Sequence, residues 1–184
     1  MPTAIPSPAT PLPVIRTLQP ADWPTYRDLR LGALAEAPYA FGSTYAEESQ
    51  RADDVWAARL AAPALGDFRR ACPLVAEVAG EPVGLMWIKL DDAGTGTGTG
   101  SGTASLYQVW VAPQARGLGV GAALLDAAIA WARRVRATAV NLDVTVGNGT
   151  AERLYARAGF VPVGAPVRQP GKPLFEQAMT LALA

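Results

Sequence analysis

Residues 106–130 read LYQVWVAPQARGLGVGAALLDAAIA, an apolar run that passes through Pro113 into a glycine-rich turn and straight on into an Ala- and Leu-rich stretch. The pattern is that of a strand, a turn and an amphipathic helix. A turn so placed aims several backbone N–H groups at one spot, at the positive end of the helix dipole, and forms an anion site. Gly117, Gly119 and Gly121 let a phosphate approach the main chain with no Cβ in the way, and Arg116 adds a fixed positive charge. A diphosphate suits such a site.

From the residues alone, a strand-to-helix turn that merely needs glycine is one reading, and three alternating glycines beside Arg116 speak against it. A dinucleotide fold is a second, because Gly117, Gly119 and Ala122 satisfy G-x-G-x-x-A and Asp143 follows at about the right distance. Against it, Asp143 sits inside its own run (NLDVTV), the glycines come several residues after the strand, and the first hundred residues carry no βαβ repeat. A P-loop is excluded, since G-x-x-x-x-G-K-[ST] is absent.

Working outward toward the N-terminus, residues 1–13 (MPTAIPSPATPLP) hold little to bury and read as a disordered leader. A short strand is expected over 14–18. Asp22 then caps a helix in which Trp23, Tyr26, Leu29, Ala33 and Leu34 recur at spacings of three or four, ending before Pro38. Residues 38–49 mix aromatics with turn formers, and Asp53 opens a second short helix that runs up to Pro63. The β-rich runs 74–78 and 83–90, joined by Ala-Gly-Glu-Pro, form a hairpin. Residues 91–105 (DDAGTGTGTGSGTAS) have no apolar anchor and read as a mobile linker. Toward the C-terminus the glycine turn leads into a helix over about 119–136, a strand at 139–146, a helix at 148–158 and strands at 160–163 and 175–183. The expected fold class is α/β with a mixed sheet, antiparallel strands in front and a strand-helix-strand-helix core behind.

Composition narrows the chemistry. A chain of 184 residues, half of them apolar, suits one domain over 14–184. Sixteen Lys and Arg balance sixteen Asp and Glu, so no field of one sign holds a polyanion or an anionic membrane, and nucleic acid is not expected as a partner. One cysteine, Cys72, and no histidine remove disulfide frameworks, Cys/His zinc sites and Ser-His-Asp triads; no metal is expected, and Cys72 reads as a small apolar residue. Any general base is then a carboxylate, a lysine, a tyrosine or a water. Apolar runs shorter than the roughly 20 residues of a membrane span, and a start unlike a signal peptide, make a soluble cytoplasmic protein the expectation.

Arg116-Gly-Leu-Gly-Val-Gly121 matches the R/Q-x-x-G-x-G/A signature of the GNAT (GCN5-related) N-acetyltransferases, preceded by Val111-Ala-Pro113 and followed by the Ala/Leu-rich helix. The resemblance continues in Leu142-x-Val144 and in Asn148-x-x-Ala151-x-x-Leu154-Tyr155-x-x-x-Gly159-Phe160, similar to the second half of that family's acyl-CoA site. It implies the GNAT fold, a mostly antiparallel mixed sheet of about seven strands with four helices.

The resemblance also implies acetyl-CoA as cosubstrate, its pyrophosphate on the backbone of Gly117, Leu118, Gly119, Val120, Gly121 and Ala122 beside Arg116. The pantetheine arm would pair like an added strand with Val109, Trp110 and Val111, where an N–H would polarise the thioester carbonyl. Asn148 would contact pantetheine, and Tyr155 would return a proton to the departing thiolate. Seven residues apart on a helix, these two fall on nearly one face at about 100° per residue. A thiol pKa near 8.5 and a phenol near 10 make that transfer not steeply uphill. Tyr155 as a core aromatic beside Leu154 is the other reading.

Asp143, with Asn141 and Thr145, lies on the strand face opposite Val140, Leu142 and Val144. It matches an acidic residue that some family members carry five before the Asn, which makes it the first candidate base. A surface acid is the alternative. Glu47 and Glu48 are weaker candidates, and Trp56, Trp87, Trp110 and Tyr45 suit either an acceptor wall or the core. The acceptor would be a small-molecule amine or a protein or peptide amine, and C-terminal edge strands allow a homodimer. A non-catalytic acyl-CoA binding module would keep the glycine turn and Asn148 without needing Tyr155.

Overall fold

Alternating apolar residues build one twisted sheet in the computed structural model, which describes residues 11–65, 68–91, 102–169 and 171–183. Its strands are β1 (Val14–Thr17), β2 (Ala71–Val78), β3 (Glu81–Leu90), β4 (Thr103–Val111), β5 (Ala139–Thr145), β6 (Val161–Pro162), β7 (Val167–Arg168) and β8 (Phe175–Ala182). The order across the sheet is β1-β2-β3-β4-β5-β8-β6, with β7 also paired to β8. Every pairing is antiparallel except β4 with β5, which run parallel. The helices are α1 (Trp23–Glu36), α2 (Tyr45–Glu48), α3 (Asp53–Arg59), α4 (Ala62–Leu65), α5 (Val120–Arg134) and α6 (Gly149–Arg157). None of those described is long and apolar enough to cross a membrane.

The pleat divides the chain's apolar residues between two faces. On one, α5 packs Leu124, Leu125 and Ala128 against Met86, Ile88, Leu106, Val140 and Leu142, with Tyr155 of α6 and Phe160 in the same cluster. On the other, Tyr26 of α1 with Trp56 and Leu60 covers Val75, Leu85 and Trp87. Past β4 that second face turns polar: cross-strand pairing puts Ser105, Asn141 and Thr180 in one row, and Thr180 Oγ1 donates to Asn141 Oδ1 at 2.8 Å.

The mixed, mostly antiparallel sheet of about seven strands is found, with eight among the described residues when β7, two residues that only the backbone of β8 defines, is counted. Several expectations need correction. The short helices α2 and α4 were unforeseen. A reciprocal capping box holds α2, in which Glu47 N donates to Thr44 Oγ1 at 3.2 Å and Thr44 N to Glu47 Oε2 at 2.9 Å. Asp22 does not cap α1 with its side chain. Instead its Oδ2 accepts from Arg16 Nη1 at 2.8 Å and from Gln19 N at 2.7 Å. The expected linker 91–105 is too long at its far end, since β4 starts at Thr103, and Thr103 Oγ1 donates to Asp91 Oδ2 at 2.6 Å. Residues 92–101 of that linker, and 1–10 of the expected leader, lie outside the described residues.

Candidate active site

β4 and β5 are hydrogen-bonded neighbours only from Thr103↔Ala139 to Ser105↔Asn141. Both strands continue beyond that point without pairing with each other, and the gap between them opens a groove of about 770 Å³. β4 also carries a bulge here. Leu85 pairs with Trp110 and Trp87 with Tyr107, so Gln108 and Val109 together oppose Met86. Gln108 takes a left-handed conformation, φ 53°. Val109, Trp110 and Val111 follow, half-buried along the groove wall.

At the end of β4 the chain turns through Gly117 (φ 81°) and Gly119 (φ 79°) into α5. A Cβ on either glycine would meet nothing within 4 Å, so the backbone conformation alone demands glycine. Gly119 is the N-cap residue of α5 and supplies no side chain to its first N–H groups. The need at Gly121 differs: a Cβ there would lie 3.3 Å from Leu154 Cδ2, so the missing side chain lets α5 approach α6. Val120 is buried, which leaves its main chain for the groove. Gly117, Gly119, Val120, Gly121 and Ala122 all line the groove; Leu118 does not, and its side chain is exposed.

Arg116 borders the groove with its charge already matched. Its Nη2 lies 2.7 Å from Glu36 Oε2, and its Nε donates to Val111 O at 3.0 Å. Trp110 Nε1 donates to the same Glu36 oxygen at 3.1 Å. These two donors, Arg116 first, hold the Glu36 carboxyl below the usual carboxylate range. The C-terminal end of α1 is thereby tied to the glycine turn.

Asn148 and Tyr155 both line the groove, but Asn148 is the N-cap of α6, not part of its body. Its Oδ1 accepts from Ala151 N at 3.3 Å, while the amide nitrogen keeps its donors for a ligand. Tyr155 is buried against Phe160, ring centroids 5.8 Å apart, and burial pushes its phenol up to about 12. It is therefore packed in the core and lines the groove at once.

Across the groove, Asp143 is exposed on the polar face of β5. Glu176 of β8, two residues along from Ala178, the cross-strand partner of Asp143, joins Asp143 on that face and in the groove. Burial first, then the charge of Asp143, raises Glu176 above the ordinary range, and Gln169 Nε2 donates to its Oε1 at 2.8 Å. Tyr107 of β4 completes the set, its phenol raised by burial and by the carboxylates Asp91 and Asp143.

Glu176 was missed because nothing within FEQAMTLA distinguishes it; only the β5–β8 register brings it to Asp143. Glu47 and Glu48 are spent on structure, one in the capping box and the other buried between Arg30 (3.3 Å) and Arg59 (2.9 Å). Trp56 and Trp87 belong to the core, whereas Trp110 lines the groove. Cys72 is buried, and burial raises its thiol.

The family model described as Acetyltransferase (GNAT) family matches residues 25–160. Among curated relatives, a mycothiol acetyltransferase of Propionibacterium freudenreichii is 37% identical over 100 residues, 54% of this chain and 30% of that one. Another mycothiol acetyltransferase, from Thermobispora bispora, is 32% identical over 160 residues, 86% of this chain and 50% of that one. The chain thus spans half or less of the length of these relatives. Among solved structures, a putative acetyltransferase of Salmonella typhimurium with its cofactor acetyl-CoA superposes with a TM-score of 0.73 at 23% identity, covering 94% of each chain. This last likeness is one of fold.

Proposed function

The chain belongs to the acetyltransferase (GNAT) family, and from that premise we propose that it carries the acetyl group of acetyl-CoA to a primary amine by direct attack in a ternary complex. The observation that carries this reading is the continuity of one groove, in which the left-handed glycine turn, the bulged wall of β4, Tyr155 and the Asp143–Glu176 pair face one volume. Acetyl-CoA fits the residues present: an uncapped helix start behind two open glycines suits a diphosphate, and the edge of β4 left unpaired on the β5 side suits an amide-bearing arm.

When bound, acetyl-CoA supplies an activated acyl group and a thiolate leaving group. The N–H groups of the turn from Gly117 to Ala122 solvate the diphosphate, leaving the Arg116 charge to pin Glu36. Main-chain N–H groups of Val109–Val111 hold the arm and polarise the thioester carbonyl. Tyr155 donates its proton toward the sulfur. With the phenol near 12 and a free thiol near 8.5, that step is uphill by roughly 5 kcal/mol in water-referenced terms. A sulfur desolvated in the same groove is itself raised, which narrows the gap. Asp143 and Glu176 accept the proton that an ammonium acceptor must lose, and burial with the charge of Asp143 raises the Glu176 carboxyl, which suits it to that task. The names of the curated relatives favour a small-molecule amine as acceptor.

Isothermal titration with acetyl-CoA, CoA and NAD, paired with thiol release over a panel of amines, tests the reading. Acetyl-CoA binding with amine-dependent thiol release is expected. Binding without turnover on any amine would point to a CoA-binding module, and NAD binding alone to a dinucleotide site.

A further inference from the structure

We propose that Tyr26 is a positioning residue for the transfer: from the core under α1 it fixes the bulge of β4 through Gln108. The proposal rests on the acetyl-transfer reading and deepens it by naming what shapes the strand assigned to the thioester.

Gln108 sits at φ 53°, a conformation that residues with a side chain seldom adopt and that persists only where the surroundings hold it. The hold here is a chain of hydrogen bonds running in from α1, α2 and α3. Tyr26 Oη donates to Gln108 Oε1 at 3.2 Å. Arg59 Nη1 donates to Tyr26 Oη at 3.3 Å and to Glu48 Oε2 at 2.9 Å. Glu48 Oε1 accepts from Arg30 Nη2 at 3.3 Å and from Ser43 Oγ at 2.5 Å.

The direction of this chain is set by inventory. A phenol has one hydrogen; because Arg59 occupies a lone pair of Tyr26 Oη as a donor, that hydrogen is directed to Gln108. The hydroxyl has no freedom to leave, since Tyr26 is buried and its ring is wedged between Trp56 (5.6 Å, edge-on) and Trp87 (5.5 Å). Gln108 lines the groove and Tyr26 does not, so Tyr26 reaches the groove through its hydrogen bond to Gln108.

Tyr26→Phe keeps the ring between the two tryptophans and removes only the hydroxyl. In the unliganded variant, amide exchange at Gln108, Val109 and Trp110 is expected to accelerate about fivefold, the factor one buried hydrogen bond is worth, with exchange elsewhere in the sheet near wild type. The kcat should fall by a similar factor while the Kd for acetyl-CoA stays within about twofold. Gln108→Gly makes the left-handed backbone unstrained and removes the acceptor, so adding Tyr26→Phe to it should change neither exchange nor kcat further. Bulge amides that exchange at wild-type rates in Tyr26→Phe, or losses that add in the double variant, would overturn the relay. Exchange is read without substrate, so a wild-type protein that fails to transfer acetyl defeats the transfer reading, while the hold on the bulge still stands or falls on its amides.

Discussion

Tyr155 and Glu176 show how differently two groove residues are written into a sequence. The place of Tyr155 in the groove was legible because it depends on local spacing: it lies about two helical turns after Asn148, itself fixed by the end of β5. Tyr155→Phe keeps the contact with Phe160 and should lower kcat by about 10²-fold or more with little change in acetyl-CoA affinity, as loss of a general acid does; thiol release and titration read the two quantities. Unchanged turnover would remove the assigned role. Since burial holds the phenol near 12, Tyr155 should add no alkaline limb to the pH profile below about pH 11. Glu176 was illegible because its partner is a strand away. Its carboxyl is raised by burial and by Asp143, and only the ionised form accepts a proton, so kcat/KM should fall as pH drops through a limb above the ordinary glutamate range near 4.3. A pH–rate profile of Glu176→Gln should lose that limb; an identical profile would leave Asp143 as the base.

Elements were read well where one periodicity ran uninterrupted, as in α5 and the β2–β3 hairpin, and poorly where two or four residues suffice. The Thr44-x-x-Glu47 capping signature was present in the sequence, but a single helical turn lacks the periodicity that would have drawn attention to it. The bulge in β4 left no signal at all, because Gln108 is not a residue type that announces a positive φ. By contrast, the turn into α5 was announced by its glycines, and these divide by physical need. Gly119→Ala imposes a left-handed alanine at the helix start without a clash, and should cost about 1–2 kcal/mol in urea unfolding together with a weaker grip on acetyl-CoA. Gly121→Ala instead presses on Leu154 Cδ2. A Gly119→Ala variant as stable and as tight-binding as wild type would show that the turn's left-handed geometry is not what holds the diphosphate.

For the molecule as a whole, the two-sided character of the sheet was visible in the alternation of β5, and the single parallel pair followed from the helix that joins β4 to β5. The place of β8 between β5 and β6 was not, since long-range register has no local signature. Nor was the buried Arg30–Glu48–Arg59 cluster, assembled from three helices. Burial alone would raise Glu48, but hydrogen bonds from Ser43 and Arg59 and the charges of both arginines leave it below its ordinary value. A carboxyl lowered on folding adds stability above its unfolded pKa and loses it as pH falls through the folded value. Urea midpoints should therefore decline as pH drops below about 4.5, and Glu48→Gln, which strands a buried guanidinium, should cost about 3 kcal/mol or more near neutrality. All of these elements converge on one groove, and a crystal structure with CoA tests its assignment most directly. The expected result is a diphosphate on the amides of Gly117–Ala122 and a sulfur within about 3.5 Å of Tyr155 Oη; a diphosphate bound elsewhere, or a sulfur out of reach of that hydroxyl, would contradict it.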